Sequence, residues 1–133
     1  MAVYVDDMRA RFRGMLMCHM IADTDPELHA MADRIGVQRR WWQSPERTSG
    51  SHYDIALSKR ALAVRAGAIE ITQRQAAMMN AMRRATGVLG TPDQAHAWYE
   101  QNLIRRKAPP TVPAACLSEP PTASSLNAKE CPR

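Results

Sequence analysis

The chain has 133 residues, with 18 Lys and Arg against 13 Asp and Glu and a net charge of +5. Apolar residues make up 45%, enough to bury a core, and no apolar run approaches the ~18 residues of a transmembrane helix, so no membrane partner is expected. Cys18, Cys116 and Cys131 have no C-x-x-C spacing, which argues against a disulfide scaffold or a zinc finger; with a start (MAVYVDD) unlike a secretory leader, the expected compartment is the cytoplasm.

Residues 2–6 (AVYVD) form a β-branched and aromatic run that predicts a strand. Residues 9–14 (RARFRG) break it with charge and a glycine, and residues 15–22 (MLMCHMIA) predict a second strand. Thr24-Asp25-Pro26-Glu27 then opens a helix over 25–35, either as a capping box or with Asp25 as the cap. Leu28, Met31, Ala32 and Ile35 form its apolar stripe, and Gly36 ends it. Residues 37–43 (VQRRWWQ) predict a strand and 44–51 a loop. Asp54 reads as the N-cap of a helix over 55–66 that Gly67 stops, and 68–72 (AIEIT) as a strand. A Met- and Ala-rich helix is expected over 73–86, and Thr91-Pro92-Asp93-Gln94 opens another to about residue 104, with Trp98 on its packing stripe. From Ala108 prolines accumulate and large apolar groups become scarce, a composition that predicts disorder. The expected fold class is α/β, with α+β as the variant. The organisation is a β-β-α-β-α-β domain over 1–75, a helical hairpin over 76–107 and a disordered tail over 108–133.

Asp6 and Asp7 end the first strand, where open α/β sheets place ligands and metals, although a capping role is the plainer reading. His19 lies in an apolar strand beside Cys18, and neighbours in a strand face opposite sides. A buried histidine with one hydrogen bond is the plainer reading there, and only the fold can bring His19 and Asp23 near Asp6 or His52. His52 and Tyr53, followed by Ser58 and Lys59, suggest an anion pocket at a helix N-terminus, where exposed amides and the macrodipole favour negative charge. Asp7, His19 and His52 are the candidate ligands of a divalent metal; no cofactor motif is evident. Arg9, Arg11 and Arg13 around Phe12, and Arg39-Arg40-Trp41-Trp42, are basic–aromatic clusters of the kind that hold single-stranded nucleic acid, set against one Trp in the core and solvated arginines. His29, with Asp25 and Asp33 on the polar face of its helix, reads as surface.

These residues also carry a resemblance. MAVYVDDMR, MCHMIADTDPELHAMADRIGV, WWQ and HYDIALSKRALAVRAGAIEIT, in that order over residues 1–75, resemble the family catalogued as domain of unknown function 4031, small phage and bacterial proteins. The resemblance implies a small α/β domain of phage or prophage context. It makes Asp6, Asp7, His19, Asp23, His52, Tyr53, Asp54 and Lys59 motif positions, and puts no site in the 44–51 loop, which looks variable in length between members.

Three functions follow as expectations. The first is a cytoplasmic accessory protein that binds an anionic partner, nucleic acid or a phosphorylated ligand. The second is a metal-dependent phosphodiester hydrolase in which Asp6, Asp7, His19, Asp23, His52 and Asp54 gather at strand ends and Lys59 stabilises developing charge. The third is a module that engages a host protein through the Met-rich face of the hairpin. Convergence of the acids and histidines into one ligand shell favours the enzyme, and a continuous positive face favours binding.

Overall fold

In the computed structural model, which describes residues 2–108, strands form where β-branched, aromatic and apolar residues cluster: β1 is Val3–Val5 and β3 is Met15–Ala22. The segment expected only as a break holds a further strand, β2 (Ala10–Phe12), paired antiparallel with the start of β3. Arg13 (φ 48°) and Gly14 (φ 76°) make the turn between them, both in the left-handed region that a two-residue hairpin requires. β1 pairs antiparallel with the other end of β3, Val3 opposite Ala22. Met17 pairs with Ala10 on one side and Ala56 on the other, so β1 and β2 follow one another along the same side of β3.

The first helix, α1 (Asp25–Ile35), has the expected limits, with Thr24 at its N-cap, Gly36 in the left-handed region and the four stripe residues buried. Two expectations fail nearby. Residues 37–43 hold a 3₁₀ turn, Arg39–Trp41, and only a two-residue strand, β4 (Trp42–Gln43). Arg39, Arg40 and Trp41 are all exposed, so no buried alternation sustains a longer strand. Asp54 is not a cap. It lies inside β5 (His52–Ala56), and α2 (Leu57–Arg65) starts after it with no side-chain cap. The pattern His52, Asp54 against Tyr53, Ile55 is a strand's period of two, stabilised by pairing with β3 on one side and β4 on the other.

β6 (Ile69–Glu70) pairs parallel with β1. α3 (Gln73–Thr86) and α4 (Pro92–Lys107) both begin in capping boxes, Thr72 with Gln75 and Thr91 with Gln94. The sheet order is β4-β5-β3-β1-β6, with β2 on β3 beside this path, and the class is α/β. Residues 109–133 lie outside the described residues, and with them the expectation for most of the tail. No helix among the described residues is long and apolar enough to cross a membrane.

Helices cover both faces of the sheet. Alternation sends Val5, Cys18, Met20, Ala22, Tyr53 and Ile55 toward α1 and α2. Tyr4 and Ile21 point the other way, into a second core with Ile71, Met79, Leu89 and Ala95. From α4 it is Tyr99, four residues after Ala95, that packs against this core; Trp98 is half-buried and stands outside it, because the stripe runs through 95 and 99. Cys18 is fully buried, and burial first, then the charge of Asp6, pushes its thiol up to about 11. In a Cys116→Ser/Cys131→Ser chain, iodoacetamide at pH 8 should therefore leave Cys18 unmodified by mass spectrometry until denaturant is added. Rapid labelling of the native chain would show that β3 opens readily.

Candidate metal centre

The pairing of β1, β3 and β5 builds the site. His19 is the partner of Asp54, and the Asp6 amide donates to the His19 carbonyl at 3.1 Å. Alternation places Asp6, His19, His52 and Asp54 on the face toward α3, with Cys18, Tyr53 and Ile55 on the other.

Each side chain of the cluster is oriented by a hydrogen bond through its other polar atom. Asp6, whose side chain is fully buried, accepts from the His19 amide (2.9 Å) and the Met8 amide (3.2 Å) through Oδ1, and meets His19 Nδ1 at 2.7 Å through Oδ2. His52 Nδ1 lies 2.6 Å from the Gly50 carbonyl. Gln43 Nε2 donates to Asp54 Oδ2 at 2.7 Å. A carbonyl or an ionised carboxylate can only accept, so the neutral form of each imidazole has its proton on Nδ1 and its lone pair on Nε2. His19 Nε2 lies 3.7 Å and His52 Nε2 3.6 Å from Asp54 Oδ1. That oxygen is buried and has no hydrogen-bond partner. The rings meet edge to face, centroids 5.1 Å apart.

One ligand atom each from His19, His52 and Asp54 thus lies within 4.8 Å of the other two. Ligands about 2.1 Å from a tetrahedral ion stand about 3.4 Å apart, close to the two separations above. Burial opposes ionisation of Asp6, but the hydrogen bonds from the ring and amide of His19 outweigh it and hold the carboxyl below its ordinary value. The bond to Asp6 in turn raises the pKa of His19, against burial, and the charges of Asp6 and Asp54 add to the rise. Beside the imidazoles opens a cavity of about 260 Å³, closed by Ser49 and by one face of α3.

The other expected site residues lie elsewhere. Asp7 accepts from the Gln73 amide at 2.6 Å and so caps the first turn of α3 instead of reaching the cluster. Asp23 accepts from the Ala2 amide at 2.9 Å, fastening the start of β1 to the end of β3. Tyr53 is buried on the opposite face, its hydroxyl 2.8 Å from Nδ1 of His29. His29 is therefore no plain surface residue: it also meets Trp42 edge to face. Ser58 is exposed on α2, and the Lys59 ammonium sits against Gly36, at the end of α1 where a cation is favoured. His52, Tyr53, Ser58 and Lys59 thus share no opening. Arg9, Arg11 and Arg13 are exposed on and around β2, Arg13 over the Phe12 ring at 5.3 Å. Arg40 stacks over the exposed Trp41 at 5.0 Å, whereas Trp42 packs on the first core and donates to Ser51 at 2.9 Å.

Sequence reasoning missed Gln43, Gly50, Asn80 and Arg84. Gly50 lies in the loop where no site was expected, yet its carbonyl sets the tautomer of His52. The readable signal was the alternation from His52 to Ala56, which aims His52 and Asp54 the same way.

The family described as Protein of unknown function (DUF4031) matches residues 3–84, past residue 75 and through most of α3. No curated protein and no solved structure matches the chain. The matched segment is more than half of the chain and contains β1, β3, β5, Asp6 and the three residues of the cluster, and the protein belongs to the DUF4031 family.

Proposed function

We propose that the protein is a divalent-metal-dependent hydrolase acting on phosphodiesters, with His19, His52 and Asp54 as the metal ligands. One observation carries this reading. Two imidazoles whose neutral forms present Nε2 lone pairs converge on a buried carboxylate oxygen that has no hydrogen-bond partner, an arrangement that a cation stabilises. Two histidines and one carboxylate suit zinc, and three protein ligands leave a coordination position open, as in catalytic sites. A zinc ion held by these three residues would supply Lewis-acid chemistry, activating water and offsetting negative charge on a phosphoryl group. Asp6 and the Gly50 carbonyl keep protons on Nδ1 of the two imidazoles, and Gln43 fixes the carboxylate. The anion pocket expected from His52, Tyr53, Ser58 and Lys59 was one basis for the anion-binding expectation, and these four side chains share no opening. The exposed pairs Arg40–Trp41 and Arg13–Phe12 favour single-stranded nucleic acid as the bearer of the phosphodiester.

The test is calorimetric titration of chelator-treated protein with zinc, followed by assay with bis(4-nitrophenyl) phosphate. One ion per chain, lost in His19→Ala, His52→Ala and Asp54→Asn, and hydrolysis only with metal are the expected results. A wild-type chain that binds no divalent ion refutes the proposal.

A further inference from the structure

α3 turns one stripe toward the cluster: Ala76, Ala77, Asn80 and Arg84 line the cavity that His19 and His52 close from the sheet. The two alanines leave the space between imidazoles and guanidinium open. Asn80 packs so closely on Gly50 that a Cβ there would come within 2.7 Å of its side-chain oxygen, which is itself buried without a hydrogen-bond partner. Arg84 is differently placed. Its Nη1 donates to the Ser49 carbonyl at 2.9 Å, which orients the guanidinium. No carboxylate pairs with it among the described residues, and its remaining N–H groups are free to bind at the cavity wall. Arg84 therefore adds positive charge to the same opening as the cation site.

We infer that Arg84 is the substrate-binding residue for the phosphate group, taking the non-bridging oxygens of a phosphate ester whose phosphorus lies at the His19–His52–Asp54 cluster. The inference rests on the metal-dependent reading above and deepens it. The guanidinium fork matches two anionic oxygens on one phosphorus, a pair that a carboxylic ester does not offer. About 260 Å³ is below the roughly 300–1,000 Å³ of drug-sized sites, which suits a mononucleotide or the end of a single strand and not a duplex.

Zinc affinity is measured first, for wild type and Arg84→Gln. The zinc-loaded proteins are then titrated with inorganic phosphate and with acetate. The expected result is equal zinc affinity and phosphate binding weakened about 10- to 100-fold in Arg84→Gln, the effect of losing a charge-assisted hydrogen-bond pair. Acetate binding should change little, and Arg84→Lys should recover part of the phosphate affinity. Displacement of phosphate by a nucleoside monophosphate or by a short oligonucleotide identifies the source of the ester, and either supports the assignment. Equal phosphate affinity in wild type and Arg84→Gln, or no phosphate binding to the zinc-loaded wild type, overturns this inference and leaves the metal site standing. Zinc affinity lost in Arg84→Gln alone also overturns it, because Arg84 would then act only by holding Ser49. Failure of the wild type to bind zinc overturns the metal reading itself and this inference with it.

Discussion

Asp6→Asn should weaken the zinc binding proposed for His19, His52 and Asp54 about 10- to 100-fold, the usual range for a group that orients a metal-bound imidazole without itself being a ligand. An amide at position 6 can still accept from the His19 and Met8 amides through its oxygen. Its nitrogen, however, would donate to His19 Nδ1, where Asp6 Oδ2 now stands at 2.7 Å. The imidazole would then carry its proton on Nε2, the atom required by the ion. The metal-free fold should also lose about 1.5–3 kcal/mol, the range for a hydrogen bond to a charged group. The pH dependence of that loss has a definite sign. The lowered pKa of Asp6 contributes stability that is present above its ordinary value of 3.8 and disappears as pH falls through the folded value. The raised pKa of His19 contributes stability that is complete below 6.5 and disappears as pH rises through its own folded value. Urea denaturation in the presence of a chelator should therefore show the largest gap between wild type and Asp6→Asn between about pH 4 and 6.5, narrowing on the alkaline side. A gap that widens toward pH 9 would contradict the pairing.

Leu89→Ala should cost about 2–5 kcal/mol, as for a leucine truncated in a packed core. Leu89 lies between α3 and α4, yet it is only 2% exposed, packed with Tyr4 of β1, Ile21 of β3 and Met79 of α3. If the helices and the sheet share this core, the variant should melt in one transition, lowered by several degrees for each kcal/mol lost. Two transitions in calorimetry, only one of them moved by the substitution, would mean that α3 and α4 fold as a unit apart from the sheet.

Local chemistry was the legible part of this chain. α1 could be read from Thr24, Pro26, its four-residue stripe and Gly36, because capping and periodicity are decided within a few residues. β5 was misread for a physical reason. Asp54 before an apolar helical stretch satisfies every local rule for an N-cap, and what overrides those rules is pairing with residues 17–20, more than thirty positions away in the chain. The site suffered from the same limit. His19 was singled out, but its relation to Asp54 exists only through the register of β3 with β5, and its relation to Asp6 only through the pairing of β1 with β3, which continues one residue past Val5. Arg84 gave no signal at all, since its approach to Ser49 depends on how α3 lies over the sheet.

β3 serves three environments at once: Cys18 and Met20 enter one core, Ile21 the other, and His19 meets the cavity. A slip of one residue against its neighbours would exchange those faces, putting a methionine or cysteine beside Asp54 and driving an imidazole into the apolar layer. Any ion that demands His19, His52 and Asp54 together would bind only the correctly aligned sheet, so it would withdraw the misaligned forms from the folding ensemble by mass action. Zinc present during refolding would then act as a proofreader of strand alignment, raising the yield of native protein as well as its melting temperature.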